Sequence, residues 1–284
     1  LVSLRSLRYG NMLKPSSRIV TRWICRNATF LTVLTHFQRQ QLAQWDIERP
    51  DSIVIPYGTP ASQFPFSRKE IQQRPIRLLH IGNLNPVKDQ ITLLRAFALI
   101  AHQVDARLRI VGEDHMDGAL QEKARSLNIE DKIEFYGYVQ YRELPAHYSW
   151  AHFLLHSSLH EAQAVVISEA LSSGVVVVGT NVGLIADLDG RGTTAVPVGD
   201  YSGLAAKVLQ FLEKPESYLE QAELGKAWAD KHDIAWTVNE FSELYQRLSA
   251  DMHAPAGFQP LRDSLDPRKV SSELTKEVLT RDRS

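Results

Sequence analysis

A single cysteine, Cys25, among 284 residues leaves nothing to pair with inside the chain. An internal disulfide framework is excluded, and a reducing, cytoplasmic compartment is expected. No stretch approaches the ~20 apolar residues that span a bilayer, and no secretory leader pattern stands at the start. Excess charge is missing too: 32 basic and 33 acidic residues give a formal net charge of −1, which argues against a dedicated nucleic-acid binder. His, Cys, Asp and Glu nowhere take metal-ligand spacing, so no metal is expected. P-loop, G-x-G-x-x-G and Ser-His-Asp patterns are also lacking. The chain begins with Leu1 instead of Met, so a piece of a longer protein is expected. What is present is ordinary globular material, 44% hydrophobic and 23% charged, enough to bury a core.

Acid is absent from residues 1–45, which carry Arg5, Arg8, Lys14, Arg18, Arg22, Arg26 and Arg39. Arg18, Arg22 and Arg26 recur every four residues and form one basic stripe on a helix, with Val20, Trp23, Ile24 and Ala28 as an apolar face beside it. Two readings stay open. One is a solvated helix whose apolar side packs on another part of the protein. The other is attraction of the basic segment 5–39 to an anionic acceptor or to anionic lipid, a peripheral contact at the inner membrane face.

Phe30 to Leu34 reads as a strand, Phe37 to Trp45 as a helix, and Ser52 to Pro56 as a short strand before a Tyr57-Gly58-Thr59-Pro60 turn. Residues 59–75 hold Pro60, Pro65 and Pro75 without periodicity and read as a linker. From Ile76 strands and helices alternate. Strands are expected at Ile76–Ile81, Leu108–Val111, Ile133–Phe135, Phe153–His156 and Val175–Val178. Helices are expected near Gln90–Gln103, Gly118–Leu127, Arg142–Trp150 and from Gln163. That alternation marks a doubly wound parallel sheet covered on both faces, whose ligands bind outside the carboxyl ends of the strands. Gly82, Gly112, Gly137 and Glu161 all follow strands and collect at that edge. Three further helices follow, near Ser202–Leu212, Pro215–Lys231 and Trp236–Leu248. Residues 251–284, rich in Pro, Ser and mixed charge, read as a mobile tail.

The most informative stretch is His160-Glu161-Ala162-Gln163-Ala164-Val165-Val166-Ile167-Ser168-Glu169-Ala170-Leu171. Glu161 sits at a strand end and Glu169 about two turns into the next helix. The first N–H groups of that helix lack internal partners and carry the positive end of its dipole. The corner therefore combines anion-binding donors with carboxylates that accept from hydroxyls. Around it stand Gly82-Asn83-Leu84-Asn85-Pro86-Val87-Lys88-Asp89, Leu93-Leu94-Arg95-Ala96-Phe97, the Gly174 and Val175–Val178 run, and Val196-Pro197-Val198-Gly199-Asp200. In order and spacing these blocks resemble the C-terminal, donor-binding half of a GT-B glycosyltransferase of family 4.

The resemblance implies an α/β fold of GT-B type. A nearly complete Rossmann-like donor domain (76–250) with a C-terminal crossover helix would follow a truncated remnant (1–58) of an acceptor-side Rossmann-like domain and the linker 59–75. It implies a retaining, metal-independent transferase moving a sugar from a nucleotide-diphosphate-sugar to an acceptor hydroxyl on a glycan, lipid or small molecule. Lys88 would offset charge on the departing diphosphate, and Glu161 would contact the donor sugar. Glu169 would accept from both ribose hydroxyls. Gly82, Asn83, Ala162, Gln163, Ala164 and Val165 would line the diphosphate and sugar, with Tyr138 and Val139 at the base. Asn83 stands where the family usually has an arginine, and Ala162-Gln163-Ala164 where it often has Gly-Phe-Gly. A non-catalytic nucleotide-sugar-binding or scaffold protein, or an inactive fragment of such an enzyme, is the alternative.

Overall fold

The computed structural model describes residues 15–253, so Arg5, Arg8, Lys14 and most of the expected tail lie outside the described residues. The chain divides into two compact units after Val238, and the elements up to that residue carry the site. At the front come α1 (Pro15–Asn27), β1 (Thr32–Val33), α2 (His36–Ala43) and β2 (Ile53–Val54). The two short strands pair in parallel over a small core of Cys25, Leu31, Val33, Leu42 and Ile47.

On α1 the expected apolar face is divided between packed and open positions. Val20 is 47% and Ile24 38% exposed, while Thr21 and Cys25 are buried. The arginine stripe flanks this packed face instead of forming a solvated one. Arg22 bridges the Asp46 carboxylate at 3.1 Å, Arg26 donates to the Asp46 carbonyl at 3.0 Å, and Arg18 lies 4.7 Å over the Trp45 ring. These guanidiniums lock the helix to the chain itself.

The six-stranded sheet and its helices begin with β3 (Ile76–Ile81), α3 (Gln90–Ala101), β4 (Ala106–Val111), α4 (Ala119–Ser126) and β5 (Ile133–Gly137). They continue through α5 (Leu144–Trp150), β6 (Phe153–His156), α6 (Val165–Ser172), β7 (Val176–Thr180), α7 (Gly183–Asp187) and β8 (Thr193–Val196). Then follow α8 (Tyr201–Glu213), α9 (Pro215–Lys231) and α10 (Ile234–His253). Neither α7 nor β8 is among the elements expected from sequence. All sheet pairs are parallel, in the order β5-β4-β3-β6-β7-β8.

The central strands β3, β6 and β7 are mostly apolar and buried because both faces are covered. Ile76, Leu78, Phe153, Leu155, Val176 and Val178 point to one side, where α3 and α8 pack. Leu79, Ile81, Leu154 and Val177 point to the other, against Ile167, Ala170 and Leu171 of α6. Residues 59–75 contain no helix or strand, but they do not behave as a free linker. Phe64 is fully buried between the rings of Tyr141 and Tyr148, and Lys69 donates to the Ser149 carbonyl at 2.8 Å.

The strand order leaves a specific gap. From the central pair, β3 leads outward to β4 and β5, whereas β6 leads the other way to β7 and β8. At such a reversal the connections after the two central strands diverge to opposite faces, and a crevice opens between them. The loops after β3 and β6 carry Lys88 and Glu161.

Candidate active site at the sheet switch point

Lys88 is placed by its loop, not left to roam. Asn85 Oδ1 accepts from the Val87 and Lys88 amides at 3.0 and 3.2 Å, a local turn of the kind Asn favours. Asp89 then caps α3, its carboxylate accepting from the Thr92 amide. The neighbouring loop is stitched on: the Leu159 amide donates to the Val87 carbonyl at 2.8 Å, and Ser157 Oγ donates to the Lys88 carbonyl at 2.7 Å.

Across this seam Lys88 Nζ lies 2.5 Å from Glu161 Oε1. His156 Nε2 approaches the same oxygen at 3.2 Å. Burial pushes the Glu161 carboxyl up, but the His156 hydrogen bond and the Lys88 ammonium outweigh it and hold the group well below the usual carboxylate range. His156 is 1% exposed, and burial above all depresses its pKa. At neutral pH it is therefore a neutral ring donating through Nε2–H. Behind it His80 is fixed by the Leu155 carbonyl at Nδ1 (3.0 Å) and by the Gln90 carboxamide at Nε2 (3.2 Å). Burial, with the neighbouring His156, drives His80 down to about 3. Gly183 supplies clearance: at φ +53° a Cβ there would lie 2.9 Å from the Glu161 Cβ.

Glu169 lies elsewhere in character. α6 begins at Val165, two residues later than expected, so Glu169 is the fifth helical residue, little more than one turn in. It is 2% exposed. The Tyr148 hydroxyl donates to its Oε2 at 2.6 Å, and Tyr141 makes a second side-chain hydrogen bond. Burial raises the Glu169 pKa, opposed by those two hydroxyls. Burial and the Glu169 charge in turn push Tyr141 up to about 12. The carboxylate expected to face an open ribose site is thus capped by tyrosines.

Gln163 is held through its side chain. Its carboxamide accepts from the Tyr57 amide at 2.8 Å and donates to the Tyr57 carbonyl at 2.7 Å. Its side chain is a staple to the front of the chain. Thr35 Oγ1 donates to the Ala162 carbonyl at 2.7 Å. Ala164 stands at φ +68°, a conformation that costs a residue with a Cβ ~1–2 kcal/mol. It leads into α6 with no side-chain cap, and Val165 beside it is 38% exposed.

At the β3–β4 side, Gly112 permits a close approach: at φ +151° a Cβ there would fall 2.1 Å from the Gly82 carbonyl oxygen. Asn83, exposed, accepts from the Glu113 amide at 3.3 Å through Oδ1, so it laces two loops where the resemblance placed a phosphate clamp. Tyr138 is 74% exposed, and Val139 packs half-buried on the α6 side of the core. From the sequence, His156 is only the last residue of an expected strand. Its contact with Glu161 joins residues five apart, a spacing that no helical or strand period singles out.

The doubly wound parallel sheet, with a lysine-paired glutamate at its switch point, is Rossmann-like, and the solved structures it matches are GT-B glycosyltransferases. The chain belongs to the glycosyl transferases group 1, whose pattern matches residues 63–228. It is 31% identical over 148 residues to the N-acetyl-alpha-D-glucosaminyl L-malate synthase of Bacillus anthracis, covering 51% of this chain and 38% of that protein. Among solved structures, sucrose-phosphate synthase from Thermosynechococcus elongatus superposes with a TM-score of 0.75 at 22% identity, over 84% of this chain and 63% of that one. HepE of Anabaena, solved in complex with UDP-glucose, gives 0.73 at 19% identity over 84% and 70%. The chain thus spans well under half the length of the curated relative. No helix among the described residues is long and apolar enough to cross a membrane.

Proposed function

We propose that this chain carries the donor half of an enzyme that moves a hexosyl group from a nucleotide-diphosphate-sugar to an acceptor hydroxyl, with retention at the anomeric carbon. The observation that carries the reading is the Lys88–Glu161 pair at the switch point, where α/β sheets bind their ligands. Membership of a family of transferases and the UDP-glucose bound by a neighbour of the same fold support a nucleotide-sugar donor. Residues 1–58 are the end of an acceptor-side domain in this reading.

In the reaction, the bond from the anomeric carbon to the diphosphate oxygen breaks ahead of attack, through an oxocarbenium-like transition state. The acceptor oxygen forms the new bond on the same face. The departing diphosphate keeps the electron pair and takes the hydroxyl proton. Lys88 swings from Glu161 to the diphosphate and stabilises the charge that gathers there, the largest lever such a site has. Glu161 holds a sugar hydroxyl. Glu169 reaches the ribose once Tyr141, itself 48% exposed, gives up its bond.

Replacing Lys88 by Ala tests this. Calorimetry with UDP-, GDP- and ADP-sugars identifies the donor, and donor hydrolysis reports turnover. Turnover should fall about 100-fold or more while the donor Kd changes far less. Equal turnover in the variant rejects the role. A specific observation favours a binding-only alternative: Asn83 brings no charge to the phosphate side, and its Oδ1 is committed to Glu113. Binding with no turnover in the unaltered chain joined to its acceptor half would select it.

A further inference from the structure

Glu161 has two partners on one oxygen, and they differ in kind. Lys88 reaches Oε1 through a flexible four-carbon stem, with 22% of its side chain exposed. His156 reaches it from the last position of β6, where the strand pairs with Gly179, and its side chain is 1% exposed. A Cβ on Gly179 would lie 2.7 Å from the His156 carbonyl oxygen and 3.0 Å from its Cβ, so the backbone of that strand is gripped from the side. An imidazole has two rotatable bonds, and this one is enclosed.

We infer that His156 is the positioning residue for Glu161. It holds Oε1 in place when the donor diphosphate draws Lys88 away, so that Oε2 stays aimed at the donor sugar. The inference rests on the donor reading above and deepens it. Oε2 takes neither of the two bonds, and 14% of the Glu161 side chain remains exposed. In the unliganded site Lys88 alone could hold Glu161. In the liganded site the lysine has another anion to serve, and a half-buried carboxylate without its ammonium would turn toward whatever donor it could find. A neutral N–H donor from a strand end prevents that. It also leaves the total charge facing the diphosphate unchanged.

The test separates sugar contact from nucleotide contact. His156→Leu removes the donor, His156→Gln keeps an N–H at nearly the Nε2 position, and His156→Asn keeps a polar group too short to reach. Each is titrated by calorimetry with UDP-glucose, UDP-N-acetylglucosamine, GDP-mannose and ADP-glucose, and in parallel with UDP, GDP and ADP, which have no sugar for Glu161 to meet. Leu and Asn should weaken the nucleotide-sugar about tenfold, the scale of one hydrogen bond to a charged acceptor, leave the matching nucleoside diphosphate unchanged, and be rescued by Gln. Unchanged sugar-nucleotide binding, or equal weakening of both ligand classes, overturns the inference. Should the unaltered chain bind no sugar nucleotide, the donor reading itself falls. A ligand-free measurement still decides the coupling: carbon-13 NMR of the Glu161 carboxyl, faced by His156, Lys88 and His80, should titrate higher in the Leu variant and return in the Gln variant. An unmoved titration overturns it.

Discussion

Glu161 and Glu169 belong to one short stretch of chain, yet their partners and pKa shifts are opposite. Glu161 stands at a loop edge, ionised and paired with a lysine and a histidine. Glu169 lies under a helix surface, 2% exposed, with hydroxyls for company and a raised pKa. The same residue type becomes a fixed charge in one place and a reluctant one in the other. The difference is whether a cation or only neutral donors repay the lost hydration.

The contrast is sharpest when each carboxylate is removed. Glu161→Leu strands Lys88 and His156 without an acceptor and should cost about 3 kcal/mol in a denaturant titration, the low end of what breaking a buried pair costs. Glu169→Gln keeps a carbonyl oxygen for the Tyr148 hydroxyl and should cost only about 1 kcal/mol. Equal losses would break the comparison.

Acid should pull the two apart in sign. Glu161 has a depressed folded pKa, so its contribution is present above the unfolded value and is lost as pH falls toward the folded one. Glu169 has a raised pKa, so its burial cost is relieved on acidification. Measured from pH 7 to pH 4, the unfolding free energy of Glu161→Gln should decline less than that of the unaltered chain, and that of Glu169→Gln more. Beneath both runs a shared slope from His80, at about 3, and His152, at about 4. Both bind protons more readily unfolded, so stability drops below pH 6.5 in all three proteins.

The smallest effect concerns the link between the two glutamates. Ala164→Gly should stabilise by about 0.5–1 kcal/mol, since the relief of a positive φ exceeds the added chain entropy. A loss in the same titration would mean that the Ala164 methyl packs on the core more strongly than its backbone is strained.

Part of this was legible in the sequence because parallel sheets write themselves plainly. Mostly apolar stretches marked Ile76–Ile81 and Phe153–His156 at their observed bounds, and the loops after those strands had to hold Lys88 and Glu161. The state of Glu169 was not legible. From Ile167 to Ser172 every residue of α6 is buried, and a helix covered on all sides has no polar stripe to say which way a glutamate turns. Its partner Tyr148 comes from α5, twenty-one positions upstream. The side-chain partner of Gln163 was hidden for a related reason: Tyr57 lies 106 residues away, and no local pattern reports so distant a contact. β8 was passed over because Thr193, Thr194 and Ala195 are weakly apolar.

The double bond between the Gln163 carboxamide and the Tyr57 backbone imitates one rung of a β-ladder, with the Thr35 bond to Ala162 as the rung beside it. Two successive residues of the loop ahead of α6 are therefore tethered to the front of the chain as firmly as to their own helix. That loop cannot fray alone. Whatever loosens the segment around Tyr57 must also loosen the hinge that separates the charged glutamate from the hidden one.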